Sequence, residues 1–159
     1  MFRYKHVTQT LAVGFILTIS VFWLRLPFAA ENKIFAQGLV EQTLSKHPEI
    51  TGLEMSANGD QGCKSIASTE TKDVGEKCDE DEWQPLRSGK PFVEHESDGF
   101  DVTLPFYDSR GKIIAVVGMD FKIAPDQTSD SVTKRAREIT AEMEKQVPSK
   151  GKLFENEKQ

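Results

Sequence analysis

Apolar and polar residues follow two rhythms along this chain, and each change of rhythm marks an element. From Asn32 to His47 apolar residues recur every three or four positions, with one glycine and no proline, which predicts a helix ended by Pro48. Ala36, Val40 and Leu44 form one stripe of that helix, and Phe35 and Leu39 form another. Either one stripe meets a partner, or both straddle a broad groove on the core. Past Pro48 the rhythm becomes extended. Ile50 to Ala57 reads as a first strand ended by the turn cluster Asn58-Gly59-Asp60, and Cys63 to Thr69 reads as a second. A polar loop, Thr71 to Lys77, follows. Asp79 to Ser88 predicts a short helix with Asp79 as its N-cap, acids at its positive end, Gly89 as its stop, and Pro85 shortening or distorting it.

Pro91 to Ser97 is a third strand that turns tightly through Asp98-Gly99 into a fourth, Phe100 to Asp108. After Ser109-Arg110-Gly111, the run Lys112 to Lys122 is apolar on both faces apart from Asp120, which predicts a central strand. Asp130 to Val147 carries Val132, Ala136, Ile139, Met143 and Val147 at helical spacing. Pro148 ends that helix, and 148–159 reads as a flexible polar tail. The elements sum to an α+β fold: five antiparallel strands, N- and C-terminal helices mainly on one face, and a short helix between strands two and three.

The first thirty residues have a different composition. Arg3 and Lys5 precede a nearly uncharged stretch from Leu11 to Leu24, and Ala29-Ala30 follow Pro27, a pattern resembling an export signal cleaved after Ala30 or retained as an anchor. A periplasmic or secreted location follows, with one domain over 31–147. Losing residues 1–30 removes three cations and no acid, so the formal charge moves from -5 to -8. So acidic a surface offers nothing to nucleic acid. Outside the cytoplasm, Cys63 and Cys78 are expected to pair, since a strand leaving Cys63 can turn near Glu70 and return. Without a Cys-x-x-Cys spacing the bridge reads as a staple rather than a redox centre.

The runs HPEITGLEMSA, SIAST, VGEKC and DVTLPFYDSRGKIIAVVGMDF, in that order, resemble extracytoplasmic Cache sensor domains, also described as PAS-like, over about residues 31–123. The resemblance implies a five-stranded antiparallel sheet, an N-terminal helix behind it that often forms dimers, and a small-molecule pocket on the opposite face beneath the short helix and loops. The Arg-x-Trp-Tyr pattern of the amino-acid-sensing branch is absent. Alternation puts Asp101, Thr103, Pro105 and Tyr107 on one face of strand four, and Ile114, Val116, Gly118 and Asp120 on one face of strand five. If these mixed faces coincide, Asp120 and Tyr107 line the concavity, with Trp83 and Arg87 hanging over it one helical turn apart. An Arg beside an aromatic ring can clamp a carboxylate, and an Asp can hold an amine or a hydroxyl. The candidate ligand-binding set is therefore Trp83, Arg87, Asp101, Thr103, Tyr107 and Asp120.

Each residue also has a plainer explanation. Asp120 fits a strand-end acid, Trp83 and Tyr107 fit the core rim, and Arg87 fits a surface ion pair. His95 reads as exposed between Glu94 and Glu96, and His47 as a helix end. No Ser-His-Asp set, Gly-x-Ser-x-Gly elbow, His-Glu-x-x-His helix or phosphate loop is present, so catalysis is not expected and no cofactor or metal is called for. The preferred expectation is a free-standing exported module that binds a small polar molecule for sensing, or for presentation to a membrane receptor. The alternative is an interaction protein that dimerises through the N-terminal helix and takes no ligand.

Overall fold

The computed structural model describes residues 33–157, so the export segment, residues 1–30, lies outside the described residues. The chain runs α1 (Phe35–Lys46), β1 (Ile50–Gly59), β2 (Gly62–Ser68), a 3₁₀ turn (Thr71–Asp73), α2 (Glu80–Ser88), β3 (Phe92–His95), β4 (Gly99–Tyr107), β5 (Ile113–Lys122), α3 (Ser129–Glu144) and α4 (Lys150–Leu153). The five strands form one sheet in the order β2-β1-β5-β4-β3, every neighbouring pair antiparallel. β5 is central, as its two apolar faces require: Ala115, Val117 and Met119 pack on one side, and Val116 is covered on the other.

α1 and α3 cover the apolar face. Val132, Ala136, Ile139, Met143 and Val147 are all buried, in one cluster with Leu53, Met55, Val102, Leu104 and Phe106 from the sheet. Thr128 caps α3 by accepting from Ser131 N at 3.2 Å. The two stripes of α1 have one explanation. Ala36, Leu39, Val40 and Thr43 are buried, and Phe35 and Leu44 pack at the margin of the core, so both stripes straddle the groove. His47 closes α1 and is buried, its Nδ1 lying 3.2 Å from Arg135, which in turn binds Glu49 at 2.6 Å.

Four local expectations change. The segment 148–157 is packed against the body of the fold: Leu153 of α4 is fully buried, Ile34 bridges Asn156, and Phe35 N donates to Glu155 O at 2.7 Å. One apolar side chain and a strand-like bridge hold a stretch whose composition is otherwise polar. The first hairpin turns at Asp60-Gln61 with Gly62 at φ +90°, two residues beyond the Asn-Gly pair, which extends β1. The second pairs His95 with Phe100 across a longer loop than an Asp-Gly two-residue turn, with Glu96 N donating to Gly99 O at 3.0 Å. α2 runs its full expected length through Pro85. The ring is buried, and proline's missing N–H removes a single bond late in the helix.

Candidate functional site

The other face of the sheet is polar because β1, β5 and β4 alternate in phase. Antiparallel register sets Gly52, Asp120 and Asp101 in one row, Glu54, Gly118 and Thr103 in the next, and Ser56, Val116 and Pro105 in a third. Over these rows stand α2 and the loop from Ser68 to Asp79. They enclose a cavity of about 530 Å³. Nine carboxylates line it: Glu54, Glu70, Asp73, Glu76, Asp79, Asp81, Glu82, Asp101 and Asp120, with Lys77 the one basic side chain among the described lining residues.

Local chemistry positions each wall. Asp79 caps α2 by accepting from Asp81 N at 3.0 Å, and Glu82 answers by accepting from Asp79 N at 2.8 Å, a reciprocal arrangement that points Glu82 back toward the sheet. Gly89 ends the helix at φ 69°. The Cys63–Cys78 disulfide, with Cα atoms 5.3 Å apart, ties the acidic loop to β2. Cys78 N also donates to Cys63 O at 3.2 Å, and Ser65 N to Glu76 O at 2.9 Å, so the loop lies along the sheet edge as a covering strip. Acids that repel one another are thus held around one space by a covalent link and backbone bonds.

The electrostatics follow from that confinement. Burial, together with Asp120, Asp81, Glu96 and Glu94 nearby, pushes Asp101 up to about 7. Burial likewise pushes Glu82 up to about 7, although its hydrogen bonds from Asp79 and Ser56 pull the other way. Glu54 is raised by burial, and Asp120 by burial and then by Glu70 and Asp98. Ser56 Oγ lies 2.9 Å from Glu82 and 3.1 Å from Glu54. One hydroxyl proton serves one carboxylate at a time, so Ser56 does not satisfy both acids at once. Gly52 belongs to the same design, since a Cβ there would collide with the Asp120 carboxylate. Thr103 is 3% exposed and lines the cavity, its hydroxyl oxygen on the side of Gly118. Opposite it, Gly118 leaves the space above that hydroxyl open.

Of the six residues singled out in the sequence, Asp101, Thr103 and Asp120 line the cavity together. The other three lie elsewhere. Arg87 is largely exposed, binds Glu80 at 3.0 Å and stacks on the half-buried Trp83 with 5.4 Å to the ring centroid, and neither side chain lines the cavity. The i, i+4 spacing was right for contact between them, and the capping geometry turned Glu82 inward instead. Tyr107 is half-buried at the end of β4, where its N–H donates to Glu144 at 2.7 Å and its hydroxyl approaches Gly89. It falls beyond the rows that form the floor. Sequence reasoning missed Glu54, Ser56 and Glu82. The first two were legible as the polar partners of Leu53, Met55 and Ala57 in the alternation of β1, and the third as the distal half of the capping box. His95 is exposed and stacks on Phe100, its ring centroid 4.5 Å away.

Among the described residues, no group of three or more His, Cys, Asp or Glu is arranged to hold a metal ion, and no helix is long and apolar enough to cross a membrane. A disulfide of this kind is characteristic of an oxidising compartment. No protein family and no curated protein matches the sequence. Solved structures do match by shape. The GAF domain of nlh2 from A. aeolicus, described in an inactive state, is 14% identical with a TM-score of 0.54, covering 69% of this chain and 82% of that one. The GAF domain of a two-component sensor histidine kinase from Bacillus halodurans is 11% identical with a TM-score of 0.50, covering 67% and 89%. The Agrobacterium tumefaciens repressor BlcR is 8% identical with a TM-score of 0.52, covering 72% and 67%. At these identities the likeness shows a GAF-like arrangement, within the wider PAS-like group of folds, and it reaches the Cache resemblance only at that broader level.

Proposed function

We propose that this chain is a reversible small-molecule-binding module, and that the cavity between the sheet, α2 and the Ser68–Asp79 loop is its binding site. One observation carries the reading: a cavity of about 530 Å³, large enough for a metabolite, whose floor presents Glu54, Asp101 and Asp120 from three neighbouring strands, none with a cationic partner among the described residues. A collapsed pocket would have paired or excluded those groups. The GAF domain of a sensor histidine kinase among the similar structures supports a sensing use. The module binds without turning its ligand over, since no nucleophile, base and orienting group stand in sequence as a recognisable catalytic set.

The finer assignment is an exported, Cache-like domain that senses its ligand or presents it to a membrane receptor. It is supported by the basic-then-apolar N-terminal pattern together with the disulfide. N-terminal sequencing of protein recovered outside the cytoplasm checks it, with Glu31 as the expected first residue. The burial of Ala36, Leu39 and Val40 within the chain supports the binding reading over dimerisation through α1.

A thermal-shift screen of the oxidised protein against carboxylates, amino acids, amines and nucleobases tests the binding reading. A specific ligand at about 100 times its dissociation constant stabilises by about 2.7 kcal/mol, visible as a clear rise in Tm. A screen in which no class moves the midpoint rejects it.

A further inference from the structure

We infer that a second cavity, at the end of the sheet where β1 and β4 finish and β5 begins, binds a small organic anion with an apolar body, a carboxylate or phosphate monoester on a short alkyl chain. Its volume is about 490 Å³. Leu86 from the last turn of α2 and Ile113 and Ile114 of β5 supply an apolar wall, with Ile114 buried and the other two half-buried. Arg110, Lys112 and Lys150 supply the charge, and the exposed Arg110 and Lys112 put it at the mouth. An apolar wall beneath a few convergent polar groups is the general form of a small-molecule site. The described residues that line this cavity and those that line the acidic one do not overlap, so the two sites stand or fall separately.

Exposed lysines by themselves describe any solvated surface. Here the fold places the cations. Arg110 and Lys112 flank Gly111, at φ +75°, in the turn between β4 and β5. Asp108, the one acid among the described lining residues, is consumed by that turn: its Oδ1 accepts from Arg110 N at 2.9 Å and from Lys112 N at 3.0 Å, and its Oδ2 lies 3.7 Å from Arg110 Nε. Lys150 reaches in from the start of α4 and donates to the Asn58 carbonyl, which fixes an ammonium that still has donors to spare. Lys33, Lys72, Arg87, Arg135 and Lys152 each take an acid partner within the chain. Lys112 and Lys150 take none among the described residues, although 25 acids outnumber 20 bases. A carboxylate or phosphate entering between them supplies that partner, and its alkyl chain removes Leu86 and Ile113 from water. A bare inorganic anion leaves the apolar wall wet, a neutral alkyl chain leaves the ammonium groups unpaired, and a cation is repelled.

Isothermal titration of the oxidised full chain provides the test, with hexyl phosphate and hexanoate as probes, and inorganic phosphate, hexanol and hexylamine as comparisons. Saturable binding of one hexyl phosphate or hexanoate per chain is expected, with inorganic phosphate weaker by about tenfold or more and no heat from the alcohol or the amine. Amide chemical shifts should move at Leu86, Ile113 and Ile114 and stay still at Asp101 and Gly118. Lys112→Gln and Lys150→Gln should each weaken hexyl phosphate about tenfold, the scale of one charge-assisted hydrogen bond. Lys134→Gln, at an exposed cation on α3, should leave binding unchanged. Far-UV circular dichroism of both cavity variants establishes that they are folded, and Lys112→Gln keeps the Lys150 contact with Asn58 intact. Equal weakening by all three substitutions, or by none, means diffuse attraction and overturns the inference. So does inorganic phosphate binding as tightly as its hexyl ester, or an absence of heat from both probes. Shifts at Asp101 and Gly118 in place of Leu86 and Ile113 overturn it as well, by putting the anion in the other cavity. The reading of the acidic cavity survives each of these results, since its own screen decides it.

Discussion

The two faces of this sheet use the same three strands to opposite ends. Toward α1 and α3, Leu53, Met55, Val102, Leu104 and Met119 are buried in one continuous apolar cluster. Toward α2 and the loop, the alternate residues Glu54, Asp101, Thr103 and Asp120 line the cavity of about 530 Å³ with unbalanced charge. One face gains free energy from every contact it makes. The other is held together by a disulfide and a helix cap against its own repulsion. A region that folding alone would not select, maintained by a neighbouring region that folding strongly favours, is the physical signature of a site.

That contrast can be broken at its strongest point first. Leu104→Ala, on the apolar face of β4, should cost about 2 to 5 kcal/mol in denaturant unfolding through lost burial and a residual cavity. Removing the Cys63–Cys78 bridge, by reduction or by Cys78→Ser, should cost about 3 kcal/mol in the chain-entropy view and also free the acidic loop. Ligand binding should then fall by more than the stability change accounts for. Unchanged binding in the reduced protein would mean the loop is no wall of the site.

A pH titration of the empty domain sharpens the comparison further. Asp101 is raised to about 7 in the folded state from an ordinary value near 3.8, so the native form holds a proton that the unfolded chain has released between those limits. Stability from the cavity face therefore falls as pH rises from about 4 through 7 and levels off above. Asp108, held low by hydrogen bonds from Lys112 and then Arg110 N–H groups, works the other way, contributing at neutral pH and failing in acid. Thermal midpoints should peak at mildly acidic pH and decline toward neutral pH. A midpoint that climbs steadily to pH 8 contradicts the picture of the cavity.

The smallest effect belongs to a single charge. Asp101→Asn should raise the stability of the empty protein at pH 7.5 by about 1 kcal/mol, after allowance for solvent screening, because it removes one of several mutually repelling acids. A substitution that stabilises the fold and weakens ligand binding at once identifies a group kept for function. Loss of stability in this variant would assign Asp101 a structural role.

Much of this was legible along the chain. The alternation in β4 separated Phe100, Val102, Leu104 and Phe106 from Asp101, Thr103 and Pro105, and the structure keeps that division. The stripe of α3 and the centrality of β5 were equally open to reading, because burial on one or both faces leaves a period in the sequence. Trp83 and Arg87 misled: helical spacing establishes that two side chains are neighbours, and says nothing of which way the helix is rolled over the sheet. The segment after Pro148 misled for a related reason. One buried apolar residue, Leu153, and backbone bonds to Lys33 and Phe35 dock it, too little side-chain signal to create a pattern.

Sequence alone determined the elements, their order and the two-faced character of the strands, since these depend on residues near one another in the chain. Only the tertiary structure decided that Glu54 of β1, Glu82 of α2 and Asp101 of β4 share one cavity. That meeting depends on strand register and on the roll of α2, which arise from packing between distant segments and carry no local signal.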